Sequence, residues 1–550
     1  MRSHKYIFVV GGVMSGVGKG VATSSLALLL QARGFKVSPI KIDPYINVDA
    51  GTMNPTVHGE TFVLGDGDET DQDMGNYERF LGVDLTRNNY MTTGRVYQEV
   101  IRKERNLEYK GACVEVVPDI PLEVIRRITC AGETAKSDIT IVEIGGTVGE
   151  YQNILFLEAV RMLKSKYPDD VAVVLVSYLP VPGSIGEMKT KPTQYAARTL
   201  NSAGVFADVI VARSALALDE KRKEKISVFC NVSKERVISA PDVSSVYDVP
   251  LNFEKDHIAE HVMEILKIKA HKRKPELSAW KSFVRKSHNG KRVVRIGIIG
   301  KYFATGDFVL ADSYLSVIEA VKYAAYHNGV KPFVEWLASE EFEGPKAKLA
   351  KLKKYDGIIV PGGFGKRGIE GKLKVINYAR THNIPYFGLC YGMQLLIVEY
   401  ARNVLGLRGA HTTEIDRETK HPVIDIMPEQ KKKLAEKDYG GSMRLGSFPA
   451  YLKQGTIARN AYKAEMIHER HRHRYEVNPE FISQLEKAGL VFSGISPDKK
   501  LMEIAELPKS KHPFFLGTQF HPEFTARPLQ PHKLFMAFIA TALNSQKRKK

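Results

Sequence analysis

The glycine-rich stretch 11–20 constrains the fold of this chain more than any other feature. Its sequence is Gly-Gly-Val-Met-Ser-Gly-Val-Gly-Lys-Gly, and it lies between the apolar, strand-like run 6–10 and the helix-like run 21–30. Glycines let backbone N–H groups approach phosphate oxygens, a helix N-terminus supplies positive potential, and Lys19 adds a point charge. The pattern therefore predicts an α/β domain that binds a nucleotide polyphosphate. An ordinary strand-to-helix loop is the alternative.

Position 20 departs from the usual P-loop pattern, G-x-x-x-x-G-K-[ST]. Gly20 stands where that pattern has a hydroxyl residue that holds magnesium, so we expect the metal ligands elsewhere. Glu143, in the apolar run 139–144 just before a double glycine, is one candidate, and the acidic stretch 64–73 is another. Carboxylate oxygens suit Mg²⁺, and ligands of α/β sheets bind at the carboxyl ends of strands. The aspartates of the acidic stretch, among which the residues alone do not choose, are Asp66, Asp68, Asp71 and Asp73.

The length and the rhythm of apolar runs predict two domains. A chain of 550 residues exceeds one ordinary core, and Val/Ile-rich runs alternate with helix-like segments, which favours parallel, doubly wound α/β sheets. The runs are 36–42, 139–144, 171–176 and 207–212 in the first half, and 293–300, 357–360, 384–389 and 514–517 in the second. We predict a first domain at 1–270, a basic linker at 271–292, a second domain at 293–545 and a basic tail at 546–550.

Composition limits the partners and the compartment. The formal net charge is +18, but no aromatic-interleaved basic motif accompanies the lysine-rich runs, so we predict no nucleic-acid partner. The chain has no membrane-length apolar run and no signal-peptide pattern at its start, which predicts a cytoplasmic protein without a membrane partner. The four cysteines are scattered, so we expect neither disulfides nor a thiolate zinc site.

Two lysines lie close together in the sequence Lys-Thr-Lys-Pro-Thr-Gln at 189–194. Pro192 is expected to keep this segment non-helical, so that Lys189 and Lys191 could address one anionic ligand. A solvated loop is the alternative.

Cys390 is the cysteine with a predicted chemical role. It lies in Gly-Leu-Cys-Tyr-Gly at 388–392, between a strand-like and a helix-like run. Glycines two residues to either side permit a tight turn that exposes the sulfur, and the helix N-terminus favours the thiolate. This arrangement predicts a nucleophilic thiol.

His521 and Glu523 are the predicted partners of that thiol. In an extended segment their side chains point to the same side, so the carboxylate could orient the imidazole. The sequence Pro-Gly-Gly-Phe-Gly at 361–365 follows a strand and could direct backbone N–H groups at an oxyanion. For His521 alone a structural role is the alternative, but the three features together predict a thiol amidase.

These motifs resemble two known families. The second half is similar to the class I glutamine amidotransferases. The first half resembles the synthetase half of the CTP synthase family, through 12–20, Lys-Ile-Asp-Pro-Tyr-Ile-Asn-Val-Asp at 41–49, His-Gly-Glu at 58–60, Glu-Ile-Gly-Gly-Thr-Val-Gly at 143–149 and 189–194. The resemblance extends from residue 6 to residue 543, essentially the whole chain.

The resemblance implies the following site residues. Those for ATP are Gly16, Val17, Gly18, Lys19, Gly20, Val21, Asp73, Asp242 and Val243, with Lys41 on the phosphates and with Asp73 and Glu143 on magnesium. Those for UTP or CTP are Ser15, Glu150, Tyr151, Gln152, Lys189, Thr190, Lys191, Pro192, Thr193, Gln194 and Lys225. Those for glutamine are Gly363, Tyr391, Gly392, Met393, Gln394, Glu414 and Arg474, beside the catalytic Cys390, His521 and Glu523.

The resemblance also implies a reaction and its regulation. ATP would phosphorylate the 4-oxygen of UTP, and ammonia released from glutamine would displace the phosphate to give CTP. GTP is the expected activator, CTP the expected inhibitor, and the expected assembly is a homotetramer with a UTP site shared between subunits, with filaments as a further possibility. This chain has Glu-Tyr-Gln at 150–152 where many relatives have Asp-Ile-Glu, so the pyrimidine contact and the strength of CTP inhibition could differ.

Two rival functions follow from the same residues. Another ATP-dependent amide-forming synthetase, such as a cobyrinate amidase, would need no uridine nucleotide, and the motif at 189–194 argues against it. A basic, nucleic-acid-associated ATPase would use the net charge of +18 but would leave Cys390, His521 and Glu523 without a purpose.

Overall fold

The computed structural model describes residues 4–183, 186–272, 274–300, 304–305, 308–309, 311–345, 347–363, 365–426 and 443–549. The chain forms two compact units. Unit 1 comprises Met1–Asp49 and Asn76–Val284, and unit 2 comprises Ala50–Gly75 and Arg285–Lys550. The segment Ala50–Gly75 therefore belongs to the compact unit that the second half of the chain builds.

Nine strands are described before residue 285. They are β1 Lys5–Gly12, β2 Val37–Asp43, β3 Phe62–Val63, β4 Glu69–Thr70, β5 Tyr90–Thr92, β6 Ile139–Ile144, β7 Val171–Tyr178, β8 Val209–Ser214 and β9 Val237–Pro241. In unit 1 seven of them form one parallel sheet in the order β5-β2-β6-β1-β7-β8-β9. The hairpin of β3 and β4 belongs to unit 2.

Apolar side chains cover both faces of the sheet of unit 1. In β1, Phe8 and Val10 belong to one core and Ile7 and Val9 belong to another. Side chains alternate between the two faces along a strand, so a strand covered on both sides is apolar at nearly every position. The doubly wound α/β fold predicted for this half is confirmed.

The helices of the first half connect these strands. They are α1 Lys19–Ala32, α2 Pro55–His58, α3 Gln72–Leu81, α4 Thr93–Arg105, α5 Val116–Ala135, α6 Ile154–Lys166, α7 Lys191–Ser202, α8 Glu220–Cys230, α9 Val249–Lys255, α10 Ile258–Ile265 and α11 Ser278–Asn289. The glycine-rich turn predicted from the sequence joins the carboxyl end of β1 to the start of α1.

The second half contributes a larger, mixed sheet to unit 2. Its strands and those of the smaller sheets are β10 Arg292–Gly300, β11 Ala304–Thr305, β12 Phe308–Val309, β13 Val330–Ala338, β14 Gly357–Val360, β15 Tyr386–Leu389, β16 His411–Thr412, β17 Pro422–Ile426, β18 Arg444–Leu452, β19 Met466–His473, β20 Tyr475–Val477, β21 Val491–Ile495, β22 Met502–Glu506 and β23 Phe515–Thr518. The main sheet has nine strands in the order β13-β10-β14-β15-β23-β22-β21-β18-β19, of which the first five run parallel.

The helices of the second half are α12 Leu315–His327, α13 Ile369–Thr381, α14 Tyr391–Asn403, α15 Ile457–Tyr462, α16 Pro479–Lys487 and α17 Lys533–Lys549. The last helix continues through most of the stretch 546–550 that the sequence predicts as a tail. In the part of the chain that the structure describes, no helix is both long enough and apolar enough to span a bilayer.

The stretch 271–292, predicted as a linker, contains helix α11. Trp280, Phe283 and Val284 are buried at helical spacing, and the indole N–H of Trp280 donates to the carbonyl oxygen of Tyr247 at 3.0 Å. The linker prediction weighted the basic residues of this stretch and overlooked its apolar ones. In an amphipathic helix the two kinds of residue lie on opposite sides. The predicted domain bounds themselves stay a prediction.

We expect Trp280→Ala to lower the free energy of unfolding by about 3 to 5 kcal/mol, because it leaves a large cavity and removes the partner of the Tyr247 carbonyl. Denaturant unfolding followed by circular dichroism measures the change. Leu107→Ala, at a side chain that is 72% exposed, is the control and should change stability by less than about 0.5 kcal/mol. Equal effects of the two substitutions would contradict the packing role of Trp280.

Candidate active sites

The turn that carries Cys390 is a strained elbow between β15 and α14. Cys390 has φ 49°, in the region that L side chains rarely adopt. A Cβ added at Gly392 would lie 2.1 Å from the carbonyl oxygen of Val360, and one added at Gly388 would lie 2.6 Å from the carbonyl carbon of Gly392. Both glycines are therefore required by close backbone approach, as the sequence predicts for a nucleophile elbow.

His521 and Glu523 form a buried pair in unit 2. Nδ1 of His521 lies 2.8 Å from Oε1 of Glu523. The segment is a short 3₁₀ turn, Pro522–Thr525, and not the extended segment expected from the sequence. Proline fits the first position of such a turn, and the tighter backbone still brings the two side chains together.

The electrostatics of this pair favour an imidazolium. Burial works to lower the pKa of His521, but Glu523 and the sulfur of Cys390 raise it to about 10. Nε2 of His521 is buried and makes no hydrogen bond to the described residues. The histidine therefore keeps its proton at neutral pH, beside the sulfur of Cys390.

Cys390 and His521 open into a small pocket of unit 2. Its volume is about 70 Å³. Gly362 approaches the imidazole closely, since a Cβ added there would lie 2.9 Å from Cε1 of His521. The pocket is lined by Pro55, Glu60, Thr61, Ser313, Tyr314, Val317, Gly362, Gly363, Cys390, Arg472, His521, Glu523 and Phe524. The Gly-Gly loop, the thiol and the histidine predicted from the sequence are therefore neighbours.

The segment Ala50–Gly75 supplies one wall of this pocket, which sequence analysis missed. The carboxylate of Glu60 accepts hydrogen bonds from the backbone N–H and the hydroxyl of Ser316, at the start of α12. Arg472 donates from Nε to Glu69 at 2.8 Å, and its carbonyl oxygen lies 3.7 Å from the Cys390 sulfur. A carboxylate at the N-terminus of a helix is favourable, so Glu60 fixes this wall.

The residues predicted to bind glutamine surround the same loop and elbow. Glu414 accepts a hydrogen bond from the backbone N–H of Gly365 at 2.9 Å, and Gln394 donates to the carbonyl oxygen of Tyr475 at 3.0 Å. The side chains of Tyr391 and Met393 are buried in the apolar core, so their contribution to a ligand site would come from the backbone. Gly363 lines the pocket, Gly392 packs beneath the elbow, and Arg474 follows β19 and is half-buried.

Unit 1 carries the glycine-rich turn at the carboxyl edge of its sheet. Gly16 and Gly18 have positive φ, and Gly18 directly precedes α1. Lys19 donates from Nζ to the carbonyl oxygen of Gly146 at 2.7 Å. A Cβ added at Gly11 would lie 2.7 Å from that Nζ, so the glycine makes room for the lysine. Ser15 lies exposed in the turn, Val17 and Gly20 are buried, and Val21 is half-buried.

A cavity of about 390 Å³ adjoins this turn and includes the predicted adenine contacts. Gly18, Val21, Asp242 and Val243 all line it. Arg213, at the end of β8, also lines the cavity and donates to Asp242 at 3.0 Å. Sequence analysis missed Arg213, although a cation that ends an apolar strand is a signal for a ligand site at the sheet edge.

Glu143 and Lys41 form a buried ion pair at the same edge. Nζ of Lys41 lies 2.8 Å from Oε1 of Glu143, and the hydroxyl of Tyr77 donates to Oε2. A carboxylate has about four lone-pair positions, so Glu143 keeps acceptor capacity for a cation. Asp73 lies in the first turn of α3, and its backbone N–H donates to Asp71 at 2.8 Å.

The segment predicted to bind the pyrimidine nucleotide is partly helical. Helix α7 begins at Lys191 with Pro192 in its first turn, which corrects the expectation of a non-helical segment. Proline suits this position because its missing N–H has no partner there in any case. The hydroxyl of Thr193 pairs with Ser177 at 2.8 Å.

The other residues predicted to bind the pyrimidine nucleotide make hydrogen bonds or ion pairs mainly with residues nearby in the sequence. Lys189 pairs with Glu187 at 2.6 Å, and Gln194 donates to the hydroxyl of Thr190 at 3.1 Å. Lys225 lies exposed on α8. Glu150 accepts from the backbone N–H of Thr147 and from the amide of Gln152, each at 2.8 Å, while Tyr151 is 91% exposed.

Comparison with known proteins decides the family. The family model of the CTP synthase N-terminus matches residues 5–268, and that of class I glutamine amidotransferase matches residues 309–541. The CTP synthase of Pyrococcus furiosus is 50% identical over 548 residues, which cover 99% of each chain. The chain belongs to the CTP synthase family.

A second CTP synthase matches the chain to a similar extent. The CTP synthase of Methanocaldococcus jannaschii is 47% identical over 552 residues, covering 99% of this chain and 100% of its own. A solved glutaminase domain of Trypanosoma brucei CTPS with bound acivicin is 37% identical, with a TM-score of 0.42, and covers 46% of this chain and 94% of its own. A CTP synthase is a C–N bond-forming, glutamine-hydrolysing ligase of pyrimidine biosynthesis, with ATP, UTP and glutamine as substrates, and this assignment holds for the chain.

The raised pKa of His521 leads to a prediction about the reactivity of the Cys390 thiol. Glu523→Gln removes the carboxylate that raises this pKa, so the imidazolium is lost at lower pH and the thiolate loses its counter-ion. We expect alkylation of Cys390 by iodoacetamide to slow at least about tenfold near neutral pH. Peptide mapping by mass spectrometry measures the rate, with the exposed Cys113 as an internal control that should not change. An unchanged Cys390 rate would show that the pair does not activate the thiol.

Proposed function

We propose that the chain makes CTP from UTP, ATP and the amide nitrogen of glutamine at two sites, a Cys390–His521–Glu523 glutaminase in unit 2 and a nucleotide-binding synthetase site in unit 1. The single observation that carries this proposal is the buried His521–Glu523 pair beside the strained Cys390, within a chain that CTP synthases match over nearly its full length. A glutaminase activity alone would not explain the glycine-rich turn 11–20 and its Lys19, which are typical of a nucleotide-binding site.

In the glutaminase half, the thiolate of Cys390 attacks the glutamine amide carbon. Backbone N–H groups of the Gly362–Gly363 loop and at the start of α14 are the candidates for stabilising the oxyanion. His521 gives its proton to the departing nitrogen, so that ammonia leaves and a thioester remains. Water then attacks the thioester, His521 takes up the proton, and glutamate and the thiolate are regenerated. Glu414 and Arg474 are proposed to hold the amino-acid end of glutamine.

In the synthetase half, the turn 15–21 and Lys41 are proposed to bind phosphates. The cavity beside Gly18 is proposed to take adenine against Asp242 and Val243, which its volume of about 390 Å³ supports. The γ-phosphoryl group passes to the 4-oxygen of UTP, and ammonia then displaces that phosphate to give CTP. Magnesium, when bound, would neutralise charge on the phosphates, and the remaining acceptor capacity of Glu143 fits a role as its ligand, together with Asp73.

The pyrimidine site, regulation and assembly complete the proposal. Lys189 to Gln194, Lys225 and Glu150 to Gln152 would hold UTP or the inhibitor CTP, and GTP would activate glutamine hydrolysis. Exposed apolar side chains of unit 1 support assembly into a homotetramer, with filaments as a further form; they include Tyr151, Ile154, Tyr195 and Phe229. The domain bounds 1–270 and 293–545, the cytoplasmic location and the absence of nucleic-acid and membrane partners remain predictions.

The test compares two nitrogen donors and two variants. CTP formation from UTP, ATP and Mg²⁺ is followed by absorbance with glutamine or with ammonium. We expect Cys390→Ala to lose synthesis from glutamine and to keep synthesis from ammonium within about twofold. The matched variant Lys19→Met should lose synthesis from both donors while its Cys390 still reacts with iodoacetamide.

Two outcomes would contradict the proposal. If the native chain makes no CTP from either donor, the synthetase assignment is wrong. If Cys390→Ala still makes CTP from glutamine, then Cys390 is not the nucleophile.

A further inference from the structure

A buried glutamine side chain reaches the sulfur of Cys390. Gln519 directly follows β23, it is fully buried, and its backbone N–H donates to the carbonyl oxygen of Glu503 at 2.8 Å. Nε2 of Gln519 lies 3.8 Å from Sγ of Cys390, within hydrogen-bond distance for sulfur. The carbonyl oxygen of the preceding residue, Thr518, accepts from the backbone N–H of Cys390 at 2.6 Å. The end of β23 therefore contacts both the backbone and the side chain of Cys390.

The neighbouring Gln394 fixes which end of the Gln519 amide faces the sulfur. Nε2 of Gln394 lies 3.0 Å from the carbonyl oxygen of Tyr475, which can only accept, so the nitrogen end of the Gln394 amide lies there. The same Nε2 lies 3.4 Å from Oε1 of Gln519 and donates its second hydrogen to that oxygen. Because its oxygen accepts from Gln394, Gln519 directs its N–H₂ group to the sulfur.

The sulfur also faces a carbonyl oxygen. The oxygen of Arg472 lies 3.7 Å from Sγ of Cys390 and accepts from the thiol S–H. An ionised sulfur has no hydrogen to donate, so the negative end of the carbonyl dipole then repels it, whereas the N–H of Gln519 attracts it. A hydrogen bond to an ionised acceptor is roughly twice as strong as one to a neutral acceptor. The Gln519 contact therefore favours the ionised form of Cys390 over the neutral thiol.

We infer that Gln519 is a further catalytic residue, which donates a hydrogen bond to the negatively charged sulfur of Cys390, and that Gln394 positions it. Its effect on catalysis rests on the glutaminase proposed above. In that reaction the sulfur is negatively charged before it attacks the amide carbon, so a donor increases the fraction of reactive sulfur.

The sulfur becomes negatively charged again when the thioester is hydrolysed. Water forms the new C–O bond, His521 takes a proton from it, the C–S bond breaks, and its electron pair returns to the sulfur of Cys390. A donor that is already oriented toward the sulfur stabilises this leaving group without reorganisation. Gln519 thus acts at the beginning and at the end of the cycle.

Gln519 and His521 have different tasks in this scheme. Nε2 of His521 makes no hydrogen bond to the described residues, and the imidazolium acts through its charge and as a proton donor. The amide of Gln519 does not titrate, so its hydrogens remain after His521 has given its proton to the departing nitrogen. The charged and titratable groups that line the pocket of Cys390 are Glu60, Tyr314, Arg472, His521 and Glu523.

The variant Gln519→Met tests the contact, because methionine has a similar length and can neither donate nor accept at the amide positions. Alkylation of Cys390 in the full chain by iodoacetamide is measured from about pH 4 to about pH 10 by peptide mapping, with the exposed Cys113 as an internal reference. We expect the midpoint of the Cys390 profile to rise by at least about half a pH unit. On the acid side of the midpoint, the rate should then fall at least about threefold.

Two further variants separate this role from packing. Ser493→Ala also removes a buried hydrogen bond, from the Ser493 hydroxyl to Glu506 at 2.9 Å, and should lower the Tm without moving the alkylation profile. Gln394→Met leaves the donor in place but removes the group that orients it, so the profile should move in the same direction by a smaller amount. If Gln394 acts through Gln519, the double variant should show no larger shift than Gln519→Met alone.

Steady-state kinetics provide a readout that a loss of packing would not reproduce. Glutamine hydrolysis by Gln519→Met should lose at least about fivefold, mainly in kcat, because Gln519 contacts the reacting sulfur. The acid limb of the pH profile of kcat/KM should move together with the alkylation midpoint. A lower Tm with both pH profiles in place would mean that Gln519 only packs.

The inference is overturned if the alkylation profile of Gln519→Met coincides with that of the native chain or moves to lower pH. Should this variant not fold, the profile of Gln394→Met decides, and an unmoved profile there overturns the inference. Alkylation needs no glutamine, so the two proposals fail separately. If the profile moves but the native chain hydrolyses no glutamine, the proposed function is wrong while the contact between Gln519 and the sulfur is supported.

Discussion

The backbone of Cys390 sits at a positive φ, and unit 2 is built to hold it there. Such a conformation costs roughly 1 to 3 kcal/mol at a non-glycine residue and persists only when its surroundings over-determine it. Here the backbone N–H of Cys390 donates to the carbonyl oxygen of Thr518 at 2.6 Å, in the neighbouring strand, and Gly392 packs directly on Val360. The parallel strands β14, β15 and β23 therefore fix the thiol, and His521 follows β23 within a few residues.

In each unit the polar residues of the candidate site lie at the carboxyl ends of parallel strands. In unit 1, Lys19 and the Lys41–Glu143 pair lie where β1, β2 and β6 end, and in unit 2 Cys390 follows the end of β15. Strand ends in such sheets present free backbone groups and helix N-termini, while the strand interiors are apolar on both faces. A buried ion pair such as Lys41–Glu143 is costly to separate, so the site edge is polar but rigid.

Much of this arrangement was predictable from the sequence. The apolar runs predicted the central strands, and the glycines around Cys390 and before α1 predicted both turns, because these signals are local. Contacts that depend on long-range packing were not predictable. The hydrogen bond between Glu60 and Ser316 of α12 joins residues 256 positions apart. Arg213 and Asp242 come together only because of the order of the strands in the sheet. The prediction of a non-helical segment at Pro192 was wrong because proline suits both a loop and the first turn of a helix.

The segment Ala50–Gly75 makes the chain hard to divide. A cut near residue 285 would separate two halves that look independent in sequence, yet the later half alone would lack Glu60 and Thr61 in its thiol pocket, and Arg472 would lose its carboxylate partner Glu69. The pocket of such a fragment would open to water on one side. Recombination between members of this family would therefore preserve the glutaminase site only if residues 50–75 and the second half came from the same parent.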